Sequence, residues 1–138
     1  MSWLLDTNIL SEMVKERPNQ GVISWIDSQT NADLFLSTIT IAEIERGVNR
    51  LPQSQKRKVY ESFLLTIIKN YGDNIIPINL DEAREWGKIM ARSETIGRRL
   101  PVADAFIAAT ASIHDLTLVT RNVSDFEAVG LKLLNPWE

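Results

Sequence analysis

Four acids in this chain stand where carboxylates can do more than solvate a surface: Asp6, Glu43, Asp104 and Asp125. Asp6 follows the apolar run Trp3-Leu4-Leu5 and opens Asp6-Thr7-Asn8. Those residue types also cap helices, so an N-cap is its structural alternative. Glu43 closes Thr40-Ile41-Ala42-Glu43, the pattern of a capping box, in which the Glu side chain returns to the cap backbone. Asp104 lies in Pro101-Val102-Ala103-Asp104-Ala105-Phe106-Ile107-Ala108-Ala109. A helix apolar on nearly every side is a buried one. Burying even a neutral polar group without a partner costs on the order of 2–7 kcal/mol, and the dipole at a first helical turn returns only ~0.3–1 kcal/mol. Asp104 therefore needs a specific partner or a cation. Asp125 follows Thr120-Arg121-Asn122-Val123-Ser124, where Ser124-x-x-Glu127 is a second capping-box pattern and Asn122 offers a neutral oxygen.

Each acid falls just beyond a strand or in the first turn of a helix, where one crevice can collect them. Neighbouring carboxylates repel unless one is protonated or a cation lies among them. Oxygen donors in a chain with no cysteine favour Mg²⁺ or Mn²⁺ over zinc. Other chemistries lack their parts. The one histidine, His114, sits late in its helix beside Asp115 and reads as a helix-end residue. No G-x-S-x-G accompanies it, and neither a G-x-G-x-x-G nor a Walker A loop occurs.

The elements that must position these acids alternate between short apolar runs and helical patterns. Strands are predicted at Trp3-Leu4-Leu5, Leu34 to Ser37, Ile75 to Ile78 and Leu116 to Val119, with a fifth at Leu131 to Leu134. Helices are predicted from about Asn8 to Lys15, around Val22 to Ile26, and through Ile41, Ile44 and Val48. Further helices span about Gln53 to Lys69, Asp81 to Ser93 and Val102 to Ile113. Pro52 separates the third from the fourth. Strands alternating with helices imply an α/β fold with a mainly parallel sheet of four to five strands. Ligands in such folds bind beyond the carboxyl ends of the strands.

The chain's 138 residues suit one domain, 1–138. No apolar run approaches the ~20 residues that span a bilayer, and the N-terminus lacks the pattern of a signal peptide. The absence of cysteine fits a reducing cytoplasm. With a formal charge of −3, nucleic-acid binding must come from a local site, since a general binder is basic.

Together these segments resemble the PIN-domain family, and most closely its toxin branch, the VapC- and FitB-like ribonucleases of toxin–antitoxin systems. The resemblance rests on Leu4-Leu5-Asp6-Thr7-Asn8-Ile9-Leu10-Ser11-Glu12, on Thr40-Ile41-Ala42-Glu43-Ile44 with Gly47, on Pro101 to Ala111, and on Leu118-Val119-Thr120-Arg121-Asn122 with Asp125-Phe126. It spans nearly the whole chain. It implies a three-layer α/β/α fold and a Mg²⁺- or Mn²⁺-dependent endoribonuclease, with Asp6, Glu43 and Asp104 as metal-binding acids. Asp125 matches a fourth acidic position of this branch, while Asn122 occupies a place where other PIN domains carry Asp. Thr7 and Thr120 match positions that orient ligands or water, and Asn8 lies in the same motif. The resemblance further implies a homodimer, a cytoplasmic location and a small antitoxin partner.

The expected reaction is hydrolysis of an RNA phosphodiester by a metal-activated water, leaving a 5′-phosphate and a 3′-hydroxyl. Arg98, Arg99 and Arg121 are candidates to hold flanking phosphates, with a solvated surface as their alternative. Lys56-Arg57-Lys58 reads as a solvated helix face. Two other functions remain open at this level: a structure-specific DNA nuclease, and an inactive PIN domain that binds nucleic acid or assembles in a complex.

Overall fold

Leu4 and Leu5 are sequence neighbours, yet both are fully buried. Adjacent residues of a strand face opposite sides of a sheet, so this strand is covered on both faces, as parallel strands in α/β proteins are. The computed structural model, which describes residues 1–137, has five strands: β1 (Trp3–Leu5), β2 (Leu34–Ser37), β3 (Ile75–Ile76), β4 (Thr117–Val119) and β5 (Leu133–Leu134). All pair in parallel, in the order β3-β2-β1-β4-β5. The helices are α1 (Thr7–Met13), α2 (Gln20–Asp27), α3 (Thr38–Arg50), α4 (Gln55–Tyr71), α5 (Leu80–Thr95), α6 (Val102–Ile113) and α7 (Val123–Phe126).

The two faces of the sheet carry separate cores. Leu4 and Leu118 pack with Ile89 and Met90 of α5, Ala105 and Ala108 of α6, and Phe126 of α7. Leu5, Leu34, Leu36 and Val119 pack with Ile9 and Leu10 of α1, Val22 of α2 and Ile67 of α4. This is the three-layer α/β/α arrangement expected from the sequence. The chain leaves β1 toward β2 on one side, whereas β4 leads on to β5 on the other. The carboxyl ends of β1 and β4 therefore form the switch point where such sheets open a crevice.

Several element limits differ from those the sequence suggests. The third strand is two residues long, not four, because Pro77 has no N–H to offer a ladder. β4 begins at Thr117 because Leu116 belongs to the end of α6. Its N–H bonds to Ala111 O at 2.9 Å, with Asp115 left-handed at φ 52°, a helix-terminating turn more often built on glycine. β5 pairs only at Leu133 and Leu134. α3 starts at Thr38, capped by the Ser37 hydroxyl, which accepts from Ile39 N at 3.0 Å. The expected capping box at Thr40 and Glu43 is thus absent, since both residues lie inside the helix. Ser124 and Glu127 form none either, because α7 starts after Asn122.

α7 has only four residues, and its anchor is Phe126, the largest fully buried side chain. Phe126→Ala should lower unfolding free energy by about 3–5 kcal/mol, read by urea denaturation. A loss under about 1 kcal/mol would mean that α7 is held by something other than this ring.

Candidate active site and metal centre

Asp6 leaves the end of β1 with its backbone N–H bonded to Val119 O of β4 at 2.9 Å, so it sits on the switch point. It does cap α1: its Oδ1 accepts from Thr7 N at 2.7 Å. Capping is only part of its role. Its Oδ2 accepts the Thr120 hydroxyl at 2.8 Å and Asn8 Nδ2 at 3.4 Å. Thr120 is fully buried, and its hydroxyl accepts from Asn122 N at 3.0 Å. That bond leaves the single hydroxyl proton for Asp6.

Glu43 projects from α3 toward the same place. The Thr7 hydroxyl donates to its Oε1 at 2.6 Å, and the buried Thr40 hydroxyl lies 3.5 Å from Thr7 Oγ1. The tie to Thr7 spans 36 residues, so Glu43 is held by tertiary structure and not by its own helix end. Asp104 lies in the first turn of α6, and Asp125 in the first turn of α7. Asp104 is only partly buried, less than its apolar sequence context suggests, and Asp125 is exposed.

The four acids act on one another. Burial pushes the Asp104 carboxyl up, and the charges of Asp6, Glu43 and Asp125 push it further, to about 6. Asp6, 4% exposed, is also raised, first by burial; the hydrogen bonds from Thr120 and Thr7 oppose the shift, and the Glu43 charge adds to it. As the side chains stand, no three acids among the described residues enclose a single point that would hold an ion. What fits a divalent cation is the donor set: carboxylate oxygens only, in excess of any nearby positive charge.

The candidate arginines differ in setting. Arg98 Nη2 donates to Ser124 O at 3.1 Å, tying the loop before α6 to α7. Arg98, Arg99 and Asp125 share an open cleft of about 320 Å³. Arg99 pairs loosely with Glu94 at 3.8 Å. The Arg121 guanidinium lies 5.4 Å over the Trp137 ring, and its backbone N–H reaches Asn8 Oδ1 at 3.4 Å. Asn122, exposed, enters the site through its backbone. His114 ends α6 as expected, at the opposite end of that helix from Asp104, and bonds through Nε2 to the buried Glu82 at 2.9 Å.

The structure gives two residues roles that were not read from sequence, one beside the site and one in the turn after α1. Thr40 was read only as a cap, and its burial beside Thr7 depends on where α3 begins. Glu12, 5% exposed, accepts from Asn19 N at 2.9 Å and Lys15 Nζ at 3.0 Å. It fixes the turn from α1 to α2, and its spacing three residues from Lys15 was the one available signal.

A parallel sheet with acids gathered at its switch point is the frame of a family of nucleases, and the match is direct. The PIN-domain family model covers residues 3–131, so the chain belongs to that family. It is 38% identical over 136 residues to a VapC ribonuclease, Y4jK, of Sinorhizobium fredii, covering 98% of this chain and 97% of that protein. It is 37% identical over 135 residues to the toxin FitB of Neisseria gonorrhoeae, with 97% of each covered. The crystal structure of FitAcB from Neisseria gonorrhoeae superposes with a TM-score of 0.92 at 36% identity, over 99% of both chains.

The raised Asp104 makes metal-free stability depend on pH. Its folded-state value, about 6, lies above its ordinary 3.8, so the folded form holds more protons between those limits. Stability from this group is fully present below about pH 4 and is lost as pH rises through 6. Asp104→Asn cannot ionise. In excess chelator its melting temperature should exceed that of wild type by more at pH 7.5 than at pH 5. In unfolding free energy the gap should widen between those two pH values by about 1 kcal/mol, allowing for the solvent-exposed part of the carboxyl. A gap that does not change with pH would remove the repulsion from the account.

Proposed function

We propose that the chain acts as one nuclease domain, a divalent-cation-dependent endoribonuclease and the toxin of a toxin–antitoxin pair. The observation that carries this reading is the convergence of Asp6, Glu43, Asp104 and Asp125 from four elements on one switch point, where burial first and then the charges of the other three acids push the Asp104 carboxyl up to about 6. Its relatives, a VapC ribonuclease and a toxin, support RNA cleavage as the activity.

Asp6, Glu43, Asp104 and Asp125 would hold Mg²⁺ or Mn²⁺. When bound, the cation supplies positive charge that offsets the phosphodiester and lowers the pKa of coordinated water. The chain's own residues do the rest. Thr120 and Thr7 N fix the Asp6 carboxylate plane, and the Thr7 hydroxyl fixes Glu43. Asn8, bonded to Asp6 and Thr120, ties the two segments together. Asp125, and not Asn122, serves as the fourth acid, because its charge reaches Asp104. Arg98, beside Asp125, and Arg121, braced on Trp137, would meet the phosphates flanking the cut. Water attacks phosphorus in line, the P–O3′ bond breaks, and the products carry a 5′-phosphate and a 3′-hydroxyl.

Incubating the protein with tRNA, rRNA and mRNA pools, with Mg²⁺, with Mn²⁺ and with excess chelator, followed by end mapping, tests this. Cleavage should need a divalent ion. Asp104→Asn should lose on the order of a hundredfold or more, the several kcal/mol that a Lewis acid supplies. Comparable cutting by the variant, or in chelator, would sink the mechanism.

The protein would work in the cytoplasm as a homodimer, restrained by a small antitoxin. Among the described residues no helix is long and apolar enough to cross a membrane. The uncompensated acids suit a partner that covers them with an Arg, whose planar fork can take the cation's place in a bidentate contact. The small protein encoded next to this gene should co-purify with the chain and suppress its cleavage. Growth arrest that co-expression fails to relieve would count against the pairing.

A further inference from the structure

Gly47 stands in the middle of α3, where glycine weakens a helix relative to alanine. Nothing in the chain's own packing calls for it. A Cβ built there would meet no atom within 4 Å, and no positive φ requires glycine. Gly47 borders a cavity of about 180 Å³ between α1, α3 and α4, lined also by Thr7, Glu43, Lys56, Tyr60 and Phe63. Six waters at ~30 Å³ each would occupy that volume. It falls short of the roughly 300–1,000 Å³ of clefts for larger ligands, and its size suits one flat ring system.

We propose that this cavity is a nucleobase subsite, taking the base of a nucleotide that adjoins the phosphate at the acid cluster, with Gly47 leaving room for the ring. The inference rests on the nuclease reading and adds a determinant of which RNA is cut. Three features select this occupant. Thr7 and Glu43 belong both to the cavity wall and to the acid site, so whatever fills the cavity is continuous with the group the acids meet. Tyr60 and Phe63 line the cavity, and bases stack on side chains of this aromatic type. Lys56 has no carboxylate partner among the described residues and lies 5.7 Å over the Tyr60 ring, which leaves its ammonium for a phosphate. An aliphatic side chain from a protein would use the apolar wall and leave that charge unmet.

The test uses the full-length protein and one short RNA containing a mapped cut site, prepared intact and with single abasic riboses next to the cut. Nuclease-resistant 2′-O-methyl copies serve for binding. Wild type should cut and bind the intact RNA about tenfold or more better than one of the abasic forms, the range of a lost base stack. Gly47→Leu, which fills the cavity, should bind the intact and abasic 2′-O-methyl RNAs alike. Gly47→Ala should keep the preference and melt higher than wild type. Melting both variants confirms that they fold, and the wild-type comparison needs no variant at all. Cleavage indifferent to every abasic position overturns the subsite and leaves the nuclease reading intact. A base-dependent binding difference without any cleavage does the reverse. If Gly47→Leu keeps its RNA preference but no longer co-purifies the neighbouring small protein, the cavity belongs to a protein partner and the subsite is wrong.

Discussion

Like charges held together against their repulsion set the terms for this molecule. Asp6 comes from the end of the central strand, Glu43 from α3, Asp104 from the start of α6 and Asp125 from α7, and each raises or is raised by another. A chain that only needed to fold would gain by separating them. They stay close because four separate elements converge on the switch point between β1 and β4, and because two hydrophobic cores, one on each face of the sheet, fix those elements. Core stabilisation is here set against a local electrostatic cost.

The convergence is made specific by hydroxyls. Thr7 and Thr120 each have one proton, and each donates it to a carboxylate across a large sequence separation. Thr120 is aimed by accepting a backbone N–H, and Thr7 by its place at the start of α1. In a buried setting such bonds orient a group more than they stabilise the fold. Replacing the threonines by valine would keep the shape and lose the aim, so β-branched polar residues suit both positions.

The alternation of strands and helices was legible in the sequence, because strands covered on both faces read as short continuous apolar runs and the helices between them carry a period of 3.6; the family was legible in the four motif segments. The limits of elements were less so, for identifiable reasons. Ser37, Thr38 and Thr40 are all capable caps, and only the packed structure shows that Ser37 wins. Ile75 to Ile78 reads as four strand residues until Pro77 is counted against its ladder bond. The four acids were legible as a conjunction, although Glu43 taken alone pointed to a capping box. What could not be read was Glu43's bond to Thr7, or the cavity beside Gly47. Both depend on how α1, α3 and α4 meet, and no local pattern encodes that.

The sheet is built from strands of two to four residues, and its two outer members, β3 and β5, are the shortest. An open sheet edge exposes unpaired N–H and C=O groups and can template pairing with another chain. Two-residue edges, one followed at once by a proline, offer almost no such template. The parallel sheet, whose pairing depends on distant segments and forms slowly, therefore presents little edge to a second copy of itself while it assembles. The same brevity means that few amides are protected by ladder bonds alone, so slow hydrogen exchange in this protein should map to its helices.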